Sequence, residues 1–316
     1  MKKYFFSMVA LLVLSAIVFG VGYVMYDRGD NKVFEQVLEY TDKEYTAESD
    51  VEKVDVSLIG DYNVILQRGE NSSLNYSQSE ISDITVTEEE GVLTLREKVG
   101  WKKVVKNWYR KRKKTDLIIT LPEDKIPSIR CFFSGEGKFD LPDGEYGDLE
   151  FVITGKADVS STAIKAKDVS INVSGFGRVN LAGEFQNVQI QCSGMTETNV
   201  NGSADAVDIK ASGNLNLYSE NLICPQIDVK TSGVSRLNLA GEGSKLSAKV
   251  TGYCKVEAKD FLLNTLNIDA SGNANMIVNV QEEIIAYASG NIKVEYYGEP
   301  AIKHSGSGNI KFSNMN

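Results

Sequence analysis

Histidine, cysteine and proline are scarce in this chain of 316 residues, which has one histidine, four cysteines and five prolines. A single histidine excludes most histidine-based catalytic and metal-binding constellations, and so few prolines beside 27 glycines exclude collagen-like sequence. Basic residues are outnumbered, 34 against 43 acids, and the net charge of -9 argues against a nucleic-acid partner. Hydrophobic residues make up 42% of the chain, enough to bury a substantial core. We therefore predict a folded protein and assign it no cofactor.

An uncharged stretch of 23 residues near the amino terminus, Tyr4 to Tyr26, is long enough to span a bilayer as a helix. It lacks a convincing small-residue cleavage site, so residues 1–26 are predicted to be an uncleaved signal-anchor. A cleaved signal peptide, which would make the protein secreted, and a buried soluble helix are the alternatives. Lysines before the stretch and acids after it predict a cytoplasmic amino terminus and an extracytoplasmic domain. The acidic residues 27–50 are interpreted as a stalk.

A Ser-Gly or Thr-Gly pair recurs at steps of 16 to 20 residues in the carboxy-terminal part of the chain. Apolar residues alternate with polar ones before each glycine, as in Val169, Ile171 and Val173, and a second alternating run follows it, as in Val179 and Leu181. The period is too short for a strand-helix-strand unit or a propeller blade. It predicts an all-β chain that forms a parallel β-helix, or β-solenoid, with turns of about 20 residues. A right-handed path is expected because parallel crossovers take that hand.

Each repeat is predicted to turn a tight corner at its glycine, because the corner demands a backbone conformation that side chains forbid. The preceding hydroxyl is expected to bond to local backbone. The corner glycines are Gly135, Gly155, Gly175, Gly194, Gly213, Gly233, Gly252, Gly272, Gly290 and Gly306. Residues 51–316 are predicted to be one solenoid, in which 51–130 form irregular first turns and a cap and 131–316 form the repeats. Its ends are candidate surfaces for self-association.

One basic segment interrupts the acidic chain between two predicted strands. It carries eight Lys and Arg residues, no acid and three interleaved aromatics. Its residues are Trp101, Lys102, Lys103, Lys106, Trp108, Tyr109, Arg110, Lys111, Arg112, Lys113 and Lys114. Cations that meet phosphates and aromatics that sit at interfaces suit an anionic lipid surface or wall polymer. A solvated loop is the alternative interpretation.

Few other residues in the chain suggest chemistry. The cysteines fall in different turns without C-x-x-C spacing, which favours free buried thiols over a disulfide or a metal site. His304 falls in the inward column of Cys192, in the last turn, where a structural role is expected. Asp208 and Asp228 stack on successive turns, but the lysines two positions on favour a surface ion-pair ladder over an acid/base pair. We predict no catalytic and no metal-binding residue.

Three stretches resemble a known family. They are Val54–Val56 with Gly60–Val64 and Gln67–Gly69, the strand Leu117–Pro122, and Tyr297–Pro300 followed by Ser305–Ile310. Through them the chain is similar to the bacterial head GIN domain family, described as auto-transporter adhesins, and to the related adhesin-like β-solenoid family. The resemblance implies a bacterial, surface-exposed β-helix without known catalytic residues. It also implies a connection with envelope-stress systems, since related domains are associated with them.

Together these observations predict a non-enzymatic, membrane-anchored scaffold of the bacterial cell envelope that binds as an adhesin does. Besides the membrane, its predicted partners are envelope glycans, anionic lipids or surface proteins. An envelope-stress protein that contacts anionic lipid or wall polymer through the basic segment is the first alternative. A β-helix enzyme that acts on polysaccharides is a lesser alternative, which rests on fold analogy alone.

Overall fold

The structure, a computed structural model, describes residues 38–100, 113–123 and 126–316, and these residues form strands and turns without a helix. The amino-terminal strands are β1 (Tyr40–Thr46), β2 (Lys53–Leu58), β3 (Tyr62–Gly69), β4 (Ser73–Ser79), β5 (Ser82–Glu89), β6 (Val92–Val99) and β7 (Thr115–Pro122). The next strands are β8 (Ser128–Phe133), β9 (Glu136–Leu141), β10 (Gly144–Tyr146), β11 (Leu149–Ile153), β12 (Lys156–Ser161), β13 (Ile164–Val173), β14 (Phe176–Cys192), β15 (Met195–Ala211) and β16 (Asn214–Tyr218). The last are β17 (Leu222–Ile223), β18 (Gln226–Thr231), β19 (Val234–Val250), β20 (Tyr253–Ala270), β21 (Asn273–Ala288), β22 (Asn291–Tyr297), β23 (Ala301–Ser305) and β24 (Asn309–Asn314).

The strands that precede the corners stack in register as one parallel ladder, here called the first ladder. Its order is β6–β2–β8–β11–β13–β14–β15–β18–β19–β20–β21–β23. Equivalent residues lie directly above one another, so that Val169 pairs with Val188 and Val188 with Val207. All three are buried. The predicted parallel β-solenoid is confirmed, and its core consists of such inward columns.

The strands that follow the corners form a second parallel ladder. Its order is β7–β3–β9–β12–β14–β15–β16–β19–β20–β21–β22–β24. Several strands continue around a bend into a third, shorter ladder that joins β10, β13, β14, β15, β17, β19 and β20. The sequence did not predict this third ladder. In the sequence, this ladder is marked by a second series of glycines, Gly183, Gly202 and Gly241, which have positive φ angles of 153°, 102° and 132°.

The corner glycines stack along one edge of the solenoid. A Cβ atom on any of the nine from Gly135 to Gly290 would lie 2.0 to 2.2 Å from the glycine carbonyl oxygen of the neighbouring turn. None of these nine has a positive φ angle. The predicted reason, a backbone conformation forbidden to side chains, is therefore wrong, because glycine is required here by the close approach of successive turns.

The carboxy-terminal end of the glycine stack also differs from the prediction. Gly308, not Gly306, lies against Gly290, with its Cβ position 2.2 Å from the Gly290 carbonyl oxygen. Gly306 has a φ angle of 114° and faces the Ala288 carbonyl instead. At the other end the stack begins at Gly60, whose carbonyl oxygen lies 2.1 Å from the Cβ position of Gly135. The repeat spacing missed Gly60 because 75 residues separate it from the next member.

The first turns do not follow the order of the chain. β6 and β7 pair with β2 and β3 on the side opposite β8 and β9, so the turn that comes second in sequence lies outermost. Antiparallel strands then cover it, with β5 on β6, β4 on β7 and β1 on β4. Residues 40–46, predicted to belong to a stalk, are thus β1 and part of the folded body.

A buried side chain completes the corner of the β2–β3 turn. The carboxylate of Glu97, only 5% exposed, accepts hydrogen bonds from the Ile59 and Gly60 amides at 2.8 and 2.7 Å and from the Tyr62 hydroxyl at 3.3 Å. In later turns the corresponding amides donate to a backbone carbonyl of the neighbouring turn, such as that of Ile153. Glu97 therefore substitutes for a missing carbonyl. Burial, together with the nearby Glu97 charge, raises the pKa of Tyr62 well above its usual range.

The carboxy-terminal end is more exposed. β23 and β24 pair with β21 and β22, and among the described residues no strand covers their other edges. Ile302, Ile310 and Phe312 are half-buried against the core. His304 lies below Ala286 and is exposed. The predicted column, that of Cys192, passes through Ala288 instead, because Gly308 and not Gly306 lies at the corner. Its ring lies 5.8 Å from that of Phe312.

The predicted membrane anchor, residues 1–26, lies outside the described residues. Within the described part of the chain, no helix has the length and hydropathy of a membrane span.

A candidate binding groove on the first face

The outer surface of the first ladder, here called the first face, carries one column of side chains beside the corner. Because the turns are in register, each member lies next to its equivalent, roughly 4.8 Å away. From the amino-terminal side the column contains Phe132, Val152, Asn172, Gln191, Lys210, Lys230, Lys249, Asp269, Tyr287 and Ser305. Three consecutive members are lysines, which we call the lysine column.

The residue two positions further along each strand is the hydroxyl that precedes the corner glycine. Side chains two residues apart in a strand point to the same side, so the hydroxyls form an exposed row parallel to the first column. The row consists of Ser134, Thr154, Ser174, Ser193, Ser212, Ser232, Thr251, Ser271 and Ser289. Thr154 donates to the Phe133 carbonyl of the neighbouring turn at 3.3 Å, which is a contact between turns and not the local bond that the sequence predicted.

A groove of 540 Å³ lies where the column and the hydroxyl row meet, and we call it the corner groove. Its polar lining extends from Asn172 to Lys249, which is five turns or roughly 19 Å. Two amide side chains, three lysines and hydroxyls of the row supply its polar groups, and no Asp or Glu of the described residues lines it. The corner groove thus combines positive charge with many neutral hydrogen-bonding groups.

Acidic side chains flank the lysine column in two places: Asp208 and Asp228 lie on the side away from the groove, and Asp269 follows Lys249 in the column itself. The ammonium nitrogen of Lys210 lies 3.3 Å from a carboxylate oxygen of Asp208, and that of Lys249 lies 3.8 Å from one of Asp269. Lys230 has no carboxylate within 4.0 Å among the described residues, because Asp228 accepts instead from the Gln226 amide at 2.6 Å. The predicted ion-pair ladder is therefore only partly formed.

A second groove, of 380 Å³, lies on the other side of the lysine column. It holds charges of both signs, including Asp228 and Asp269, and two exposed apolar side chains. These are Tyr287, which is 52% exposed, and Ile285, which is 39% exposed. Lys230 and Lys249 line both grooves, so the lysine column forms the ridge between them.

The outer surface of the second ladder, the second face, has a different charge pattern. One of its columns begins with Lys138, Asp158, Arg178 and Glu197, whose signs alternate from turn to turn, and further along it Arg236 lies next to Lys255. Arg178 contacts both neighbours, at 3.6 Å to the carboxylate of Asp158 and 3.5 Å to that of Glu197. Other lysines of this face pair with acids on their own strands, as Lys255 does with Glu257.

Most of the predicted basic segment, residues 101–112, lies outside the described residues. Its last two members, Lys113 and Lys114, are described and lie beside β1 at the amino-terminal end. The Lys113 amide donates to the Tyr40 hydroxyl at 3.0 Å, and both lysines share a surface pocket with Asp42 and other residues. Contact of this segment with a membrane or polymer stays a prediction.

The interior holds the four cysteines as separate, unbonded thiols. Burial raises the pKa of Cys224 to about 11 and that of Cys254 to about 12. Cys192 lies in the inward column between Val173 and Ala211. Within residues 38–100, 113–123 and 126–316, no group of three or more His, Cys, Asp or Glu residues has metal-binding geometry.

Sequence reasoning found the lysines and the hydroxyls but did not join them into a site. Each lysine comes three residues before a corner glycine and each hydroxyl one residue before it, so both face outward. This fixed position of both residue types relative to the corner glycine was the sequence signal for the site. It was missed because the lysines were interpreted only with the aspartates on their other side.

The chain matches one protein-family model, described as "Putative auto-transporter adhesin, head GIN domain". The match covers residues 52–223 and 196–300. No curated protein matches the chain.

Three solved structures are among those similar to the chain. A "putative adhesin" from Bacteroides fragilis has 17% identity and a TM-score of 0.35, with 88% of this chain and 97% of that chain covered. A "putative adhesin" from Parabacteroides distasonis has 14% identity and a TM-score of 0.44, with coverage of 88% and 100%. A "putative lipid binding protein" from the same species has 15% identity and a TM-score of 0.37, with coverage of 87% and 97%.

Proposed function

The chain belongs to the head GIN domain family of auto-transporter adhesins, and on that premise we propose that it is a non-enzymatic, adhesin-like binding protein of the bacterial cell surface. In this proposal the apolar segment 4–26 anchors the protein in the membrane, and the solenoid extends outside the cell. The solenoid supplies a rigid frame whose outer columns are free to vary, because only the inward columns form the core.

The proposed binding role rests on the corner groove. It is open, spans five turns, and presents hydroxyl, amide and ammonium groups at a regular spacing. Groups repeated at one interval suit an extended ligand that lies along the solenoid better than a small molecule, which would use only one or two turns.

A catalytic role receives less support from the side chains of the first face. Hydrolysis of a polysaccharide by acid/base chemistry needs two carboxyl groups placed across the scissile bond. No carboxylate lines the corner groove. In the second groove, Asp228 accepts a hydrogen bond from Gln226 and Asp269 lies near Lys249.

The test uses the full-length chain, purified in mild detergent, on an array of glycans and immobilised surface proteins. The proposal predicts saturable binding to at least one extended ligand, and weaker binding of that ligand when Ser193, Ser212 and Ser232 are replaced together by tyrosine to fill the groove. A matched variant, Asn180, Asn199 and Asn238 to tyrosine, fills the equivalent rows of the second face and should bind normally. Equal loss in both variants, or no binding to anything on the array, would contradict the proposal.

A further inference from the structure

The chemistry of the corner groove also indicates which class of ligand it takes. We infer that it binds a linear acidic polysaccharide, with sugar carboxylates on the lysine column and sugar hydroxyls on the serine and threonine row. This inference rests on the proposed function and specifies its ligand.

Charge is the first argument. Lys210, Lys230 and Lys249 occupy successive turns, so three ammonium groups lie along roughly 10 Å of one line. Each would repel the next, and within the described part of the chain only Lys210 and Lys249 have a carboxylate within 4.0 Å. A bound chain that carries carboxylates at intervals would neutralise the column from the groove side, where the protein supplies no acid.

The neutral groups of the groove are the second argument, and they favour a polysaccharide over other polyanions. Hydroxyls from Ser174 to Thr251 line one side, and the amides of Asn172 and Gln191 continue the lysine column at its amino-terminal end. Hydroxyl and amide groups both donate and accept, which matches the many hydroxyls of a sugar chain. A polyphosphate would accept from the lysines and hydroxyls, but as it has no donor it would leave the acceptor oxygens of these groups without a partner.

The aromatic side chain near the end of the column is the third argument. Tyr287 is 52% exposed and lies two turns beyond Lys249, with Asp269 between them. An exposed tyrosine offers a flat apolar surface with a polar tip. It is placed to contact a sugar ring of a chain that runs past the end of the corner groove.

The experiment measures binding of the full-length chain to polygalacturonate, a linear polymer with a carboxylate on each sugar, and to the same polymer with its carboxylates methyl-esterified. The inference predicts binding to the acid form that weakens with added salt, and binding of the ester at least about tenfold weaker. The triple variant K210Q/K230Q/K249Q should bind the acid form at least about tenfold more weakly than the unmodified chain.

The matched control is K138Q/K255Q/K293Q on the second face, which changes the net charge equally. These lysines are each paired with an acid of their own strand. The control should bind the acid polymer within about twofold of the unmodified chain. Equal melting temperatures for the two triple variants would establish that both are folded. Equal weakening in both variants would overturn the inference, because it would mean that binding follows overall charge.

Binding measurements with other ligands distinguish a failure of this inference from a failure of the proposed function. If vesicles containing phosphatidylglycerol or long-chain polyphosphate bind through the lysine column as tightly as polygalacturonate, the sugar part of the inference is wrong. If a neutral glycan binds and only the groove-filling tyrosine variant fails to bind it, the inference of an acidic ligand is wrong but the proposed function stands. If no polymer and no component of the array binds, both are wrong.

Discussion

The first and second faces of the solenoid have the same interior and different charge arrangements outside. On the second face, Lys138, Asp158 and Arg178 follow one another with alternating sign, and like charges on successive turns occur further along only as pairs such as Arg236 and Lys255 in the described part of that column. On the first face, three lysines follow one another, with Asp208 and Asp228 to one side and Asp269 next in the column. A face whose charges neutralise one another attracts a charged ligand weakly, whereas a face with successive charges of one sign attracts an oppositely charged ligand more strongly. The repeat therefore determines the fold, and the run of three lysines on successive turns beside the corner groove marks the candidate site.

The largest expected effect comes from the corner that both faces share. Gly194→Ala would place a Cβ atom 2.1 Å from the Gly175 carbonyl oxygen, so that two turns could not stay at their present spacing. We expect a loss of at least about 4 kcal/mol in the free energy of unfolding, or no folded protein. Urea denaturation measures it. The neighbouring substitution Ser193→Ala, in the exposed row, should cost less than about 0.5 kcal/mol. Similar values for the two would contradict the stacked corner.

The next effect is expected where the two faces first meet, at the corner completed by Glu97. Glu97→Ala would leave the Ile59 and Gly60 amides and the Tyr62 hydroxyl without their acceptor, at a cost of about 3 kcal/mol. Glu97→Gln keeps one oxygen in place and should cost less. If both variants unfold at the same urea concentration as the unmodified protein, Glu97 does not support the corner.

A smaller effect separates the outer surfaces of the two faces. Arg178→Ala on the second face would remove the cation between Asp158 and Glu197 and should cost about 0.5 kcal/mol at low salt. Lys230→Ala on the first face should leave stability unchanged or raise it slightly, because it removes repulsion between neighbouring lysines. Both differences should shrink in 1 M salt. A larger loss for Lys230→Ala than for Arg178→Ala would contradict the described charge arrangement.

The smallest effect tests whether the two faces enclose one dry interior. Cys192 lies in an inward column of the first ladder and Cys254 in one of the second, and both are buried. Burial raises the pKa of both thiols, that of Cys254 to about 12. At pH 8 little thiolate is present, so neither should react with iodoacetamide in the folded protein, and both should react in urea. Rapid labelling of one thiol alone would show that its face opens independently.

Much of the fold was predictable because it repeats. The period near 20 residues and the alternation around residues such as Val169 and Val179 predicted both main ladders and their inward columns. The family resemblance drawn from the opening, middle and closing strands is confirmed by the family match. The inward place of Cys192 also followed from the repeat.

The remaining features depend on contacts that no repeat encodes. The outermost position of the β6–β7 turn follows from pairing between segments of different spacing, and the role of Glu97 depends on a carboxylate 37 residues from Gly60. The extent of the corner groove needed the side-chain positions, although the offset of the lysines and hydroxyls from the corner glycine already showed that both face outward. The anchor at residues 1–26 and the basic segment stay predictions.

The most direct test of the account is lysine footprinting, in which exposed lysines are acetylated with and without polygalacturonate and analysed by mass spectrometry. The account predicts protection of Lys210, Lys230 and Lys249, with second-face lysines such as Lys138 and Lys255 modified equally in both samples. Protection confined to the second face or to the basic segment, residues 101–114, would place the ligand elsewhere and contradict the account.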